Sequence, residues 1–231
     1  MKERILIVAA HPDDEVLGCG GTIAKYRENG DDVRVVFLAE GVTSRYQVDE
    51  INTPRVQRES KLRNDNAFKA LEILSVSPEQ VFVEQRPCCR LDQVPMLDLV
   101  KQIEGHINPW KPTKLFTHAP YDANIDHRLT YMAVLAATRP KQNSQLKSIY
   151  SFEVLSSTEW NPLQPFVPNM FVDISDFLEK KIEALMAYGD EVGSAPHSRS
   201  VEVVRSLATY RGAQAGIFYA EAFSLVRAID L

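Results

Sequence analysis

Residues 11–15 read His-Pro-Asp-Asp-Glu, directly after the apolar run Ile5 to Ala10. An imidazole and three carboxylates crowded at the end of a buried strand are costly to desolvate unless a cation compensates them. A divalent metal ion is the compact solution, and histidine with aspartate is a usual zinc donor pairing. His11 and Asp14, three apart across a proline-stiffened turn, can converge on one ion, with Asp13 pointing elsewhere and free to act as a base. The competing reading is that Asp13 and Asp14 only cap the next helix, where acids are favoured. The histidine at the strand end counts against it. A metal site also needs a third donor from a distant part of the chain.

The segment Thr117-His118-Ala119-Pro120-Tyr121-Asp122-Ala123-Asn124-Ile125-Asp126-His127-Arg128 offers one. It ends a predicted strand and opens a predicted helix, which puts His127 at a helix start, where it can complete a His/Asp/His set with open positions. Asp126 or Asp122 can orient an imidazole from behind. His118 is expected to be a structural histidine at the strand end. Gly18, Gly20 and Gly21 followed by Glu40 faintly suggest a dinucleotide fingerprint. However, Ile23 stands where the third glycine belongs, and the acids of the loop would repel a pyrophosphate. Of Arg45, Arg55 and Arg199, at least one is expected to clamp an anionic or hydroxyl-rich substrate, with Arg45 the best suited to an ordinary surface role. Glu15 is expected to meet the helix start or a substrate hydroxyl. Cys19 is taken as a small helix-start residue, and Cys88 and Cys89 as ordinary thiols. Trp110, Trp160 and Tyr121 are expected in the core rather than stacked on a ligand.

The elements that must position these groups follow from the periodicity. Arg4–Ala10, Val33–Leu38, Val81–Glu84 and Leu115–His118 read as buried strands, while Thr22–Glu28, Arg55–Leu74, Leu97–Ile107 and Leu129–Thr138 read as helices between them. Leu62, Phe68 and Leu71 mark the expected apolar face of the second helix. This alternation predicts a three-layer α/β/α, Rossmann-like domain with a mainly parallel sheet over residues 1–147. A less regular C-terminal elaboration over 148–231 is expected to hold strands at Ile149–Leu155 and Met170–Ile174 and helices at Phe177–Tyr188 and Val201–Gly216. The whole is expected to be a single domain. Ligands of such sheets bind beyond the carboxyl ends of the strands, which directs attention to the loops after Ala10, Leu38 and His118.

The chain has 231 residues, 45% of them hydrophobic and 25% charged, with a formal net charge of −5. That supports one packed core and argues against nucleic acid as the main partner, since phosphate binding needs a concentrated basic surface. No segment approaches the roughly 20 apolar residues of a membrane span. The N-terminal apolar run is too short for a signal-peptide core, and three cysteines make a poor disulfide framework, so a cytoplasmic location is expected.

Taken together, AHPDDE at a strand end with a glycine-rich helix start, and D-x-N-x-D-H-R in mid-chain, resemble the zinc-dependent GlcNAc deacetylases of the PIG-L or LmbE-like family. Weaker echoes are Arg55-x-x-Arg58-Glu59, His197-Ser198-Arg199-Ser200, Arg211-Gly212-x-Gln214-x-Gly216 and Tyr219 through Phe223. The family includes GlcNAc-phosphatidylinositol de-N-acetylase and the deacetylases of mycothiol and bacillithiol biosynthesis. The resemblance implies one zinc ion per chain on His11, Asp14 and His127, or another divalent metal in its place, with Asp13 as general base. Where the thiol-cofactor deacetylases carry a second histidine, implicated in stabilising the transition state, this chain has Asn124. Asparagine can donate a hydrogen bond but not shuttle a proton. Either Asp13 or His197 is then expected to return the proton, with Asn124 or His197 helping to stabilise charge and Arg55, Glu15, Asp126 and Arg199 contacting substrate. The implied partner is a small amino-sugar conjugate, with a homo-oligomer possible. Deacylation of a non-sugar natural-product intermediate and a non-catalytic sugar- or nucleotide-binding module are the alternatives.

Overall fold

A computed structural model describes residues 2–142 and 144–230. Strand β1 (Arg4–Ala9) shows why the sheet is buried on both sides. Ile5 and Ile7 enter one hydrophobic cluster, and Leu6 and Val8 enter another. That is the period-2 alternation of a strand whose two faces are both covered. Helix α1 (Asp14–Glu28), β2 (Asp32–Phe37), α2 (Pro54–Ile73), β3 (Val81–Val83), α3 (Met96–Trp110), β4 (Lys114–His118) and α4 (Ile125–Ala137) follow. Next come β5 (Ser148–Phe152), β6 (Met170–Asp173), α5 (Leu178–Met186), α6 (Val201–Ala215) and β7 (Ala220–Ala228). Residues of α1, α2 and α5 fill the first cluster, and those of α3 and α4 fill the second. This is the three-layer α/β/α arrangement expected from the sequence.

The seven strands form one sheet in the order β3-β2-β1-β4-β5-β7-β6. From β3 to β5 all neighbours are parallel, whereas β7 runs antiparallel to both β5 and β6. The C-terminal segment is therefore part of the main sheet, to which it adds β5, β6 and β7. Strand β1 is paired with β2 on one side and β4 on the other, so the loops after β1 and β4 diverge and leave a crevice between them. Such a switch point is where open α/β sheets place their ligands.

Three local differences from expectation bear on the site. Helix α1 starts at Asp14, eight residues earlier than Thr22, and kinks at Cys19, where φ is −150°. Its glycines serve packing rather than a nucleotide: a Cβ on Gly18 would lie 2.4 Å from Phe152, and one on Gly21 2.8 Å from Ile174. Helix α4 starts at Ile125, four residues ahead of Leu129, because the Asn124 side chain caps it by accepting from Asp126 N at 2.9 Å. In α2 the buried face runs through Val56, Ser60, Arg63, Asn64, Ala67 and Leu71, while Leu62 is exposed. Among the described residues no helix is long and apolar enough to cross a membrane.

Candidate active site

The loop after β1 and the start of α4 meet in the crevice. The His11 and His127 ring centroids are 5.5 Å apart, and both rings are buried. Asp14 lies between them, with Oδ2 3.5 Å from His11 Nδ1 and Oδ1 3.3 Å from His127 Nε2. Each imidazole is gripped from behind by a carboxylate. Asp126 Oδ2 is 2.9 Å from His11 Nε2, and Asp122 Oδ2 is 3.1 Å from His127 Nδ1. A carboxylate only accepts hydrogen bonds, so each partner fixes a ring proton on the far nitrogen and aims the near nitrogen at Asp14. The two acceptors are themselves anchored. Asp126 takes the backbone N–H groups of Cys89 and Leu91, and Asp122 takes the hydroxyls of Ser157 and Thr158.

Donors about 2.1 Å from a tetrahedral ion stand about 3.4 Å apart, close to the 3.5 and 3.3 Å that separate the two imidazoles from the nearer Asp14 oxygens. His11, Asp14 and His127 thus fit one divalent ion, their donor atoms all lying within 4.8 Å of one another. Burial opposes charge on Asp14, but the charge of His127 and the hydrogen bonds of His11 and His127 outweigh it and hold its carboxyl well below the usual range. Burial likewise opposes charge on His127, yet Asp14 and Asp122 raise its pKa to about 9. His118 stacks on His127 with centroids 3.9 Å apart and accepts the Ala10 N–H at 2.8 Å through Nε2. That bond uses the nitrogen nearest Asp14, and burial, with His127 alongside, lowers its pKa to about 3. His118 is a neutral ring beside the set.

Asp13 adopts φ 113°, a left-handed conformation that turns its side chain away from Asp14. The expectation of a free carboxylate is corrected here. Asp13 Oδ2 is paired with Arg199 Nη1 at 2.6 Å and with Arg63 Nη2 at 2.8 Å, and neither pair uses Oδ1. Arg63 also donates through Nε to the Pro12 carbonyl at 2.8 Å, and Glu191 binds Arg63, Arg199 and Arg45. The loop is braced from inside by Glu15, whose carboxylate accepts the Asp13 N–H at 2.9 Å and the Tyr188 hydroxyl. Glu15 is fully buried, and burial pushes its pKa up to about 8.

Other residues expected to act on substrate stand elsewhere. Glu15 and Asp126 are sealed inside, bonded to the loop and to His11, so neither faces a ligand. Asn124 spends its Oδ1 on capping α4, and its Nδ2 points at Cys89 Sγ, 3.8 Å away. His197 is exposed, and its Nδ1 accepts the Arg199 N–H at 3.1 Å, so it contributes through the backbone of Arg199 rather than beside the two imidazoles. Arg199 grips Asp13. Arg55 is largely exposed and pairs with Glu59 at 3.2 Å on the rim of a cavity of about 350 Å³, which Arg45, Tyr46, Arg63, Tyr188 and Glu191 also line.

Arg63, Tyr188 and Glu191 were not anticipated. A signal for Arg63 did exist. The helical stripe back from Leu71 through Ala67 lands on Arg63 and Asn64, which places polar side chains on the core side of α2. Glu40 likewise belongs to the scaffold. It accepts the N–H groups of Val42, Thr43 and Cys88, and so fixes the loop after β2.

A divergent crevice in a mainly parallel sheet, holding two oriented imidazoles and a carboxylate with a second acid beside them, is the construction of a metal-assisted hydrolase. The comparisons with known proteins narrow that class. The chain belongs to the PIG-L family, described as GlcNAc-PI de-N-acetylase, whose profile matches residues 6–138. It is 25% identical to the diacetylchitobiose deacetylase of Thermococcus kodakarensis, over 99% of this chain and 85% of that protein. It is also 25% identical to a 1D-myo-inositol 2-acetamido-2-deoxy-alpha-D-glucopyranoside deacetylase of Mycobacterium sp. (strain JLS), over 89% of this chain and 79% of that protein. In fold it is similar to N,N'-diacetylchitobiose deacetylase from Pyrococcus horikoshii, with a TM-score of 0.76, 20% identity, and coverage of 97% of this chain and 84% of that one.

Proposed function

We propose that this chain is a zinc-dependent N-deacetylase that hydrolyses the acetamide of a GlcNAc-like amino sugar carried on a small conjugate. The observation that carries the reading is the convergence of His11, Asp14 and His127 beside Asp13 in a chain of this family. Two imidazoles with one carboxylate are a donor set suited to zinc, although iron and cobalt accept the same groups. A cation on these donors supplies Lewis acidity, which acidifies water toward neutral pH and draws charge from an amide carbonyl.

The protein's own groups do the rest. Arg63 and Arg199 pin Asp13 through Oδ2, which presents Oδ1 as the basic atom. Asp13 Oδ1 takes a proton from the attacking water as its oxygen bonds to the carbonyl carbon. Asp13 then returns that proton to the nitrogen as the C–N bond breaks, giving acetate and a free amine. Because Asp13 immediately precedes the donor Asp14 in the same loop and His197 is turned to the Arg199 backbone, Asp13 serves both transfers. Asp126 and Asp122 keep the two imidazoles in the tautomers that leave their inner nitrogens free. The cavity bounded by Arg45, Arg55 and Arg63 supports a polar or anionic aglycone, since guanidinium forks suit hydroxyls and anions alike.

The test is acetate release from N-acetylglucosamine, its simple glycosides and its nucleotide conjugate, with the wild type against Asp13→Asn. The wild type is expected to release acetate from at least one of them. Asp13→Asn is expected to keep its zinc while losing turnover by the roughly 10²–10⁴-fold typical of general acid–base groups. Near-normal turnover in zinc-loaded Asp13→Asn would sink the assignment.

A further inference from the structure

Cys88 and Cys89, which as a sequence pair look like ordinary thiols, lie against the same imidazole that faces Asp14. Their sulfurs are 3.7 Å apart. The donor atoms of Cys88, Cys89 and His11 form a second group within 4.8 Å of one another, separate from Asp14 and His127. Two sulfurs about 2.3 Å from a tetrahedral ion stand about 3.8 Å apart, so the thiols already span the edge that such an ion requires. Their backbone is held firmly. Cys88 N donates to Glu40 Oε1 at 2.9 Å and Cys89 N to Asp126 Oδ2 at 2.7 Å, while Cys89 takes a left-handed φ of 56°. Cys88 is buried and Cys89 is exposed, so the pair has one donor anchored inside and one open to entry from solvent.

We propose that Cys88, Cys89 and His11 form a second metal site, selective for a thiophilic divalent ion, through which such an ion inhibits the enzyme. Thiolate donors prefer soft ions over the harder ones that carboxylates accept. Binding forms two metal–sulfur bonds and releases the two thiol protons to solvent. His11 is common to both donor groups, so an ion on the thiols competes with the first set for one imidazole. The inhibitory half of the proposal rests on the deacetylase reading. The binding half does not.

The experiment uses the zinc-loaded full chain titrated with cadmium chloride. It follows the ultraviolet thiolate-to-cadmium absorption together with the rate of acetate release. The wild type is expected to develop the band to saturation at a single cadmium per chain and to lose activity in parallel. Cys89→Ser, at an exposed position, and Cys88→Ser/Cys89→Ser are expected to lose the band and to keep their rate at the same cadmium concentration. No band in the wild type, or one that persists in the double variant, overturns the site. A full band with an unchanged rate overturns the shared imidazole. If the wild type releases no acetate before cadmium is added, the deacetylase reading has failed, and the band alone decides the thiol site.

Discussion

Replacing Asp122 with asparagine removes a charge from behind His127 while leaving its shape in place. Asp122 Oδ2 stands 3.1 Å from His127 Nδ1 and also accepts the Ser157 hydroxyl at 3.0 Å. Burial works against its charge, but the hydrogen bond and charge of His127 hold its carboxyl below the usual range, so it is an obligate acceptor at neutral pH. It therefore keeps a ring proton on Nδ1 and leaves Nε2, the nitrogen 3.3 Å from Asp14 Oδ1, as the one a cation can take. An asparagine amide can donate to Nδ1 and so favour the opposite tautomer, whose protonated Nε2 cannot hold a cation. Losses from such outer partners of histidine ligands run to about 10–100-fold in metal affinity or activity, or about 1.4–2.8 kcal/mol. Zinc affinity measured by competition with a chromophoric chelator is expected to weaken by that factor in Asp122→Asn. The thermal melt of the metal-free protein should stay near wild type, because the amide oxygen still accepts the Asn124 N–H and a neighbouring hydroxyl can turn to accept from the amide nitrogen. Unchanged zinc affinity in a natively folded variant would refute the claim that Asp122 sets the tautomer of His127.

Three further outcomes follow from the same geometry. Burial lifts the Glu15 pKa from 4.5 to about 8, so between those values the folded chain keeps a proton that the unfolded chain has released. Stability then falls as pH rises through that window, by up to about 1.4 kcal/mol per unit, and levels off above it. Glu15→Gln should flatten the dependence in urea unfolding, and an identical slope in the variant would show that Glu15 is ionised when folded. Gly18→Ala drives a methyl group into the Phe152 ring, where a Cβ would sit at 2.4 Å. A loss of about 1–3 kcal/mol is expected in chemical denaturation, and a neutral result would mean that α1 slides freely on β5. Arg63→Met strips a buried cation from Asp13 and Glu191 and should cost about 3–5 kcal/mol. Arg55→Ala, on the exposed side of α2, should unfold close to wild type. Equal unfolding midpoints for the two variants would contradict the different surroundings given to these arginines.

What the sequence made legible, and what it hid, divides along the range of the interactions. His11, Asp14 and His127 could be picked out because each sits where a strand becomes a helix, and local patterning finds such junctions. Asp122 and Asp126 could be named as backing groups from their closeness to His127, but their division of labour could not. Asp126 crosses to His11, 115 positions away, and no local pattern encodes that. The embrace of Asp13 was hidden for the same reason, since Arg199 lies 186 positions further along the chain. Arg63 was missed because the apolar face of α2 was drawn through Leu62, which is in fact exposed. Strand β7 escaped notice because its alternation breaks midway, the residues after Phe223 being only partly covered. The early start of α4 lies in a polar stretch set by the Asn124 cap, and that of α1 in a glycine-rich stretch set by loop bracing, so hydrophobic periodicity is silent at both.

The position of β7 has a consequence for how the polypeptide is made. Among the described residues β6 pairs with β7 and with no other strand of the sheet, while β7 also covers the flank of β5. A ribosome delivers His11, Asp14 and His127 long before residue 220, so the donor groups emerge while the flank of β5 still lacks its neighbour. A reading frame interrupted just ahead of Ala220 omits a single strand but removes two from the sheet, because β6 is left without an attachment. Such a product exposes the unpaired backbone of β5, the kind of edge along which incomplete chains associate with one another.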